Sequence, residues 1–312
     1  MRVPLRHSAL LLLIATLAAG CVQTYGGRRA LILIPNSQEM QLGEQAFKEV
    51  NTKEKQCTNA QANALLQDIG RRIAAVSSQP TWKWQFHLFD SPTTMNAFAL
   101  PGGKVGVYSG LLGPAGTAAG LAAVIGHEVA HAMQRHGAER GSRAMIVDAG
   151  LKAADVSLSN GAYHDKIMAA MGMGANVGLM LPYSRDMELE ADRLGLLFMA
   201  RAGYDPAHAV AFWQRFGKAT AGQKTPELLS THPANQRRID GLKAALPEAQ
   251  RVYAASARLG AGMALTVPNC AANVFGSAPT TAAPAATPAP SRAAAPRGPS
   301  APAGTKVSRP GH

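Results

Sequence analysis

The sequence predicts an α+β protein that is mainly helical and carries a small β-sheet. Apolar residues recur at helical spacing through most of residues 118–246. The stretch "WKWQFHLFD" alternates large apolar residues with others, as a half-buried strand does. The stretch "TMNAFALPGGKVGVYSGLL" has the pattern of a hairpin, with two short strands joined at residues 101–103.

Each predicted element follows from a local pattern. "ALILIP" is a candidate strand, and "SQEMQLGEQAFKEV", from Ser37, is a candidate N-capped helix. Ala60–Val76 has apolar residues at helical spacing, which predicts a second helix. The other predicted helices are roughly residues 118–136, 142–156, 165–180, 185–202, 206–219 and 234–246.

The apolar stretch Ile167–Leu181 is rich in Met and Gly. It is shorter than the ~20 residues of a membrane-spanning helix, so it is expected to be a core helix. The alternative is a mobile lid over a cleft, since Met side chains adapt to different partners.

Residues 1–20 predict an export signal that is not part of the fold. Arg2 and Arg6 give the N-terminal region a positive charge. An apolar run that ends in small residues follows and precedes Cys21. The ending "LAAGC" resembles a bacterial lipobox, which makes Cys21 the expected site of lipid attachment. Ala18 departs from the usual leucine three places before the cysteine, so an ordinary secretory signal is the alternative.

Composition divides the rest of the chain. Residues 21–36 are expected to be a tether, residues 37–270 one folded domain, and residues 276–312 a disordered tail rich in Ala and Pro. No internal repeat is present in the sequence. In an oxidising compartment Cys57 and Cys270 are a candidate disulfide, although their positions in the sequence do not bring them together.

The formal net charge of +12 overstates the basicity of the folded part. Six of these charges lie in the signal and the tail, which leaves +6 for residues 22–276. The basic residues are dispersed and not interleaved with aromatics, so nucleic acid is not an expected partner. An anionic membrane or cell-wall surface suits the excess better.

"VIGHEVAHAMQRHG", Val124–Gly137, places titratable residues in an apolar segment. At about 100° per residue, His127 and His131 lie within roughly 40° on one helix face. His136 lies about 180° away and is expected at the surface. H-E-x-x-H on a helix places both imidazoles where they can bind one Zn²⁺, and Glu128 can deprotonate the water that zinc activates.

A catalytic zinc site needs a third protein ligand. The metzincin form of the motif is absent because Gly137 stands at its last histidine, and Glu139 is expected past the helix end as a solvated charge. Glu188 and Asp192 share a helical face, whereas Glu190 points about 160° from Glu188. One of the two could bind zinc and the other orient a ligand imidazole. The alternative is a solvated acidic face paired with neighbouring arginines.

Four separated stretches resemble the zinc endopeptidases related to HtpX and the CAAX prenyl proteases, metallopeptidase family 48. They are "MNAFALPGGKVGVYSGLL", "GHEVAHAMQRH", "YSRDMELEADRLG" and "STHPANQRRI", they occur in the family's order, and the resemblance covers about residues 31–246. It implies a zincin-type metallopeptidase fold with the H-E-x-x-H helix at the active site. The family's outer-membrane lipoprotein peptidases of the stand-alone type are the nearest likeness.

The resemblance also implies a role for each matching residue. The expected zinc ligands are His127, His131 and Glu188, with Glu128 as the general base and Asp192 as the partner of a ligand. The strand expected to add a substrate chain at its edge contains Asn96, Ala97, Phe98 and Ala99.

His232, in "STHP", matches a family histidine that approaches the metal. It would stabilise the oxyanion in the active form or close the fourth position on the zinc in the resting form. The alternative is a structural histidine before a helix that starts at Pro233. Arg238 also fits the family pattern, with a structural ion pair as its expected role.

The leading hypothesis is a zinc endopeptidase, anchored by a lipid on Cys21 to the periplasmic face of a bacterial outer membrane. Val22 replaces the Asp typical of inner-membrane retention; a soluble periplasmic protein is the alternative location. The expected substrates are unfolded or misassembled envelope proteins, because an edge strand reads backbone more than side chains. The alternatives are a chaperone-like envelope assembly factor whose zinc site is closed by His232, and a cell-wall or lipid-linked hydrolase with the same ligands.

Overall fold

The computed structural model describes residues 21–79, 81–153, 184–220, 227–232, 236–265 and 270. The predicted export signal, the Met-rich stretch 167–181 and the tail 276–312 lie outside these residues. Within the described part, none of the helices combines the length and the apolar character needed to cross a membrane.

The strands form two small sheets: β1 (Cys21–Gln23) with β2 (Arg29–Leu31), and β3 (Gln85–Phe89) with β4 (Ala97–Leu100) and β5 (Lys104–Tyr108). The second sheet has the order β3-β5-β4, in which β3 is parallel and β4 antiparallel to β5. The predicted hairpin is thus present as β4 and β5. Gly102 and Gly103 in its turn have φ of 85° and 81°, a conformation that favours glycine.

The helices of the described residues are α1 (Asn36–Lys53), α2 (Ala60–Val76), α3 (Leu112–Ala115), α4 (Ala118–Met133), α5 (His136–Ala153), α6 (Arg185–Arg201), α7 (Ala207–Thr220), α8 (Glu227–Thr231) and α9 (Gln236–Ala254). The predicted α+β class with mainly helical content is confirmed. The predicted strand over residues 30–35 is shorter than expected and lies in β2.

The predicted helix over residues 118–136 is two helices. α4 ends at Met133, Arg135 has a left-handed φ of 58°, and α5 begins at His136. The break turns His136 inward, where its exposed fraction is 0%. The prediction of a surface His136 was wrong because it extended helical geometry across a residue that is not helical.

α4 is the centre of the fold, since every residue from Ala118 to Met133 is buried. It begins after Thr117, whose hydroxyl accepts a hydrogen bond from the Gly120 amide at 3.0 Å. A helix buried on every side needs neighbours all round, and α4 packs against α2, β4, α6 and α7. Polar side chains on α4 therefore lie in the protein interior, where they require partners.

α4 and α6 approach each other at two glycines. A Cβ at Gly195 would lie 2.7 Å from the amide nitrogen of His127, and a Cβ at Gly126 would lie 2.8 Å from the carbonyl oxygen of Gly195. Both clashes involve backbone atoms, which cannot move without moving a helix. The absence of side chains at these glycines therefore sets the distance between the two helices.

Gly195→Ala is expected to lower the free energy of unfolding by about 1–3 kcal/mol, because the added methyl group forces α4 and α6 apart. Gly217→Ala in α7 is the matched control, since a Cβ there meets no atom within 4 Å. Its stability is expected to stay equal or to rise by up to about 1 kcal/mol, because alanine favours a helix. Urea denaturation of both variants measures the difference, and equal losses would contradict the close approach.

Cys57 and Cys270 are joined by a disulfide, and the thiol of Cys21 is free and exposed. Cys57 precedes α2 and donates its amide to the carbonyl of Leu88 in β3 at 2.8 Å. The disulfide therefore ties residue 270 to the layer that contains α2 and the larger sheet.

Candidate metal centre

The H-E-x-x-H residues project from α4 into one buried cluster. The Nε2 atoms of His127 and His131 are 3.1 Å apart, as expected for imidazoles one turn apart on one face. The exposed fractions of His127, Glu128 and His131 are 4%, 4% and 2%. An apolar helix thus holds three titratable side chains out of contact with water.

α6 brings a carboxylate to these histidines. The helix is N-capped by Ser184 and presents Glu188 from its first turn. Glu188 Oε1 lies 3.3 Å from His131 Nε2, and Glu188 Oε2 lies 3.5 Å from His127 Nε2. Among the described acidic residues of α6, Glu188 reaches both imidazoles.

His232 closes the cluster from the end of α8. Its Nδ1 lies 3.0 Å from Glu188 Oε1 and 3.3 Å from His127 Nε2, and its Nε2 lies 3.6 Å from Glu128 Oε1. The described part of the following helix, α9, begins at Gln236, and the predicted helix start at Pro233 lies outside the described residues. The structure places His232 among the donors.

The four donors fit a single divalent metal ion. The donor atoms of His127, His131, Glu188 and His232 all lie within 4.8 Å of one another. A tetrahedral zinc ion with bonds of about 2.0–2.1 Å needs donors roughly 3.4 Å apart, which is close to the distances between these atoms. Three imidazoles and one carboxylate are also a donor set that zinc prefers.

Asp192 and Arg238 contact residues of the donor cluster. Asp192 Oδ1 lies 3.0 Å from His127 Nδ1, which is a suitable position for orienting that imidazole. Arg238 donates to both oxygens of Asp192 at 2.6 and 2.7 Å and lies 2.8 Å from Glu188 Oε2. Its guanidinium also lies 4.0 Å from the centre of the Trp213 ring. The ion pair expected of Arg238 is therefore buried against the donor cluster.

The surroundings shift the pKa values of the donors in opposite directions. Burial lowers the pKa of His131 well below its usual value. Burial also acts to lower the pKa of His127, but hydrogen bonding to Asp192 and Glu188 outweighs it and raises this pKa to about 9. Burial acts to raise the pKa of Glu188, yet the charges of His232 and His131 hold it well below its usual range. In the metal-free protein, a proton on His127 must leave before this imidazole can bind a metal.

Zinc binding at pH 7 is therefore expected to release at least about one proton per chain, and zinc affinity is expected to rise with pH up to about 9. The raised pKa of His127 also stabilises the folded metal-free protein below pH 6.5, and this contribution disappears as the pH rises through 9. Titration calorimetry in two buffers of different ionisation enthalpy counts the protons. Binding without proton release would contradict the assignment of this proton.

The predicted exposure of Glu139 was also wrong, and Glu139 and His136 both have partners in the interior. Glu139 is 1% exposed in α5, and its carboxylate contacts Arg28 and Arg143 instead of solvent. His136, also buried, places its Nδ1 2.9 Å from His131 Nδ1 and its Nε2 3.0 Å from Glu190. The contacts of Glu139 with Arg28 and of His136 with His131 and Glu190 join different elements, and helical spacing describes one element at a time. The pair of Glu139 and Arg143 lies within α5, at i,i+4 spacing.

The predicted substrate strand coincides with β4. The sheet order places β4 at an edge, and among the described residues no strand pairs with its outer side. Asn96 is buried, and the amide of Leu228 in α8 donates to the carbonyl of Met95 at 3.3 Å. β4 therefore packs on α4, and Met95, two residues before β4, contacts the segment that carries His232.

A buried H-E-x-x-H helix whose histidines meet a carboxylate from a second helix defines a metallopeptidase type of active site. The chain belongs to Peptidase family M48, whose family model matches residues 60–246. Peptidases of this family are zinc-dependent metalloendopeptidases, which confirms the predicted class and cofactor at the level of the family.

Individual relatives come from mitochondria and from bacteria. The chain is 43% identical over 184 residues to the mitochondrial metalloendopeptidase OMA1 of Schizosaccharomyces pombe, covering 58% of the chain and 52% of the relative. It is 33% identical to the human metalloendopeptidase OMA1, covering 54% and 33%. It is 28% identical to the beta-barrel assembly-enhancing protease of Escherichia coli, covering 65% and 42%. The chain thus spans about half the length of these relatives or less, and the mitochondrial ones share more identity with it.

Proposed function

We propose that this protein is a zinc-dependent endopeptidase of the bacterial cell envelope. The observation that carries the proposal is the buried cluster of His127, His131, Glu188 and His232, which lies beside Glu128. A cluster of this composition could hold zinc and keep a carboxylate base within reach of the reacting atoms.

In this proposal His127, His131 and Glu188 hold the metal. When bound, zinc would supply a Lewis acid that polarises the scissile carbonyl and lowers the pKa of water. Asp192 Oδ1, 3.0 Å from His127 Nδ1, would keep the proton of this imidazole on Nδ1 and so leave Nε2 free to bind the metal. Arg238 keeps the charge of Asp192 compensated in the interior.

Glu128 is proposed as the general base. Its Oε1 is buried and receives no hydrogen bond within the described residues, so it can accept a proton from the attacking water. Burial raises the pKa of Glu128 above its usual value, against the opposing charges of His232 and His127. A raised pKa favours uptake of this proton, which Glu128 then gives to the leaving amine.

We place the substrate chain along Asn96–Ala99. An extended peptide can add to the edge of β4 through main-chain hydrogen bonds, which select unfolded chains with little preference for side chains. Unfolded or misassembled envelope proteins are therefore the proposed substrates. The name of the E. coli relative, a beta-barrel assembly-enhancing protease, agrees with this substrate class.

The proposed location is the periplasmic face of the outer membrane, with a lipid on Cys21. This cysteine is exposed and its thiol is free, while the disulfide of Cys57 and Cys270 suits an oxidising compartment. Cys21→Ser is expected to move the protein from the membrane fraction to the soluble periplasmic fraction.

The experiment that tests the activity is cleavage of unfolded casein by the protein as exported. We expect cleavage that stops when a chelator removes the metal and returns when one equivalent of zinc is added. A folded sample that takes up no zinc, or that cleaves equally with and without it, would refute the proposal.

One observation favours a second candidate, a chaperone-like assembly factor with a largely latent protease site. His232 Nδ1 lies 3.0 and 3.3 Å from the donors of Glu188 and His127, so His232 can occupy the fourth position on the metal. In a latent protein, His232→Ala is expected to increase casein cleavage by opening this position. In an active peptidase that uses His232 to stabilise the oxyanion, the same change is expected to decrease it.

A further inference from the structure

Behind His131, on the side away from the donor atoms, lies a line of contacts that the proposed mechanism does not use. Nδ1 of His131 lies 2.9 Å from Nδ1 of His136, and Nε2 of His136 lies 3.0 Å from Glu190 Oε2. His136 is fully buried. Glu190 lies on α6, two residues after Glu188. Two successive hydrogen bonds therefore connect the imidazole of His131 to a carboxylate.

The chemistry of the two imidazoles sets the direction of these hydrogen bonds. The Nε2 of His131 faces the other donors, so binding a metal there leaves the proton of a neutral ring on Nδ1. Nδ1–H of His131 then donates to Nδ1 of His136, whose own proton must be on Nε2 and donates to Glu190. With the metal on Nε2 of His131 and both rings neutral, these two hydrogen bonds fix the tautomer of each ring.

The line continues to the start of the folded chain. Nε of Arg28, between β1 and β2, donates to both oxygens of Glu190 at 2.7 and 2.9 Å. Its terminal nitrogens contact Glu139 in α5, and the amide of Gly26 donates to the Gln134 side chain at 2.7 Å. The β1–β2 hairpin, which begins at Cys21, is therefore fastened directly behind the H-E-x-x-H helix.

We propose that His136, Glu190 and Arg28, together called the support chain, are positioning residues that hold His131 in its metal-binding tautomer and orientation. The support chain would thereby make zinc affinity depend on the seating of the N-terminal hairpin. This inference rests on the proposed zinc site, and it assigns a role to three residues that do not touch the metal.

The test is the zinc dissociation constant, measured by competition with a chromophoric chelator. His136→Leu keeps the volume of the side chain but cannot accept from His131, and we expect zinc affinity to fall about 10–100-fold. His136→Asn places an amide oxygen near the former Nδ1, and we expect it to restore most of this loss. A purely structural role for His136 would give no such rescue, since asparagine fills the buried position less well than leucine.

Arg28→Met tests the outer end of the support chain, and we expect a loss of about 10-fold in zinc affinity. Glu39→Gln is the matched control, because Glu39 pairs with Arg135 at 2.8 Å in the same region but is not a member of the support chain. Its zinc affinity is expected to stay within about twofold of that of the unchanged protein.

The outcomes separate the two proposals. An unchanged protein that binds no zinc would refute the zinc site itself. An unchanged protein that binds one zinc, with His136→Leu and Arg28→Met equally tight, would overturn the support chain alone. Thermal unfolding of each metal-free variant identifies folded samples. If His136→Leu does not fold, Arg28→Met decides the question, because an unchanged zinc affinity in that variant would also overturn the inference.

Discussion

Glu128→Gln is expected to lower the rate of peptide cleavage by about 10²–10⁴-fold while one zinc ion per chain stays bound. Glutamine keeps the size of the side chain but cannot accept the proton of the attacking water. Glu128 is not one of the four clustered donors, so the metal site should remain. Zinc content and casein cleavage are measured on the same sample.

The control for this variant is Glu39→Gln, which replaces another buried glutamate outside the cluster. Cleavage by the control should stay close to that of the unchanged protein. If Glu128→Gln binds zinc and cleaves within a few fold of the unchanged protein, Glu128 is not the general base. Loss of zinc in Glu128→Gln would instead show that this carboxylate supports the metal.

Arg238→Met is expected to lower the free energy of unfolding of the metal-free protein by about 3–5 kcal/mol. The guanidinium is 3% exposed and contacts the carboxylates of Asp192 and Glu188. Methionine fills much of the space but removes the guanidinium charge and its contacts with these buried carboxylates. Urea denaturation in the presence of a chelator measures the loss without a contribution from bound metal.

Arg193→Met is the matched control on α6. Arg193 forms an ion pair with Glu248, but its side chain is 63% exposed, so its removal is expected to change the free energy of unfolding by less than about 1 kcal/mol. Burial, and not the ion pair as such, is what separates the two variants. Similar losses in both would show that the contacts of Arg238 with the carboxylates contribute little.

The amino-acid sequence was sufficient for features that depend on neighbouring residues. Helical spacing put His127 and His131 on one face, and the apolar residues around them indicated a buried helix. The glycines at 102 and 103 predicted the turn between β4 and β5, because their backbone conformation is unfavourable for other residues. Glu188 and Asp192 were recognised as candidates by the same spacing, although spacing alone left open whether they bind a metal or face solvent.

Only the tertiary structure decided which of these residues meet. Arg135, with its left-handed backbone conformation, separates α4 from α5, and His136 and Glu139 after it lie in the interior. A periodic pattern of apolar residues does not predict such a break. The approach of α6 to α4 depends on two glycines 69 positions apart that leave room for backbone contact. Spacing within a helix fixes directions around one axis, but the distance between donors on different helices depends on packing between distant parts of the chain. The sequence therefore determined which chemical groups were available to the site, and the packing determined which of these side chains meet there.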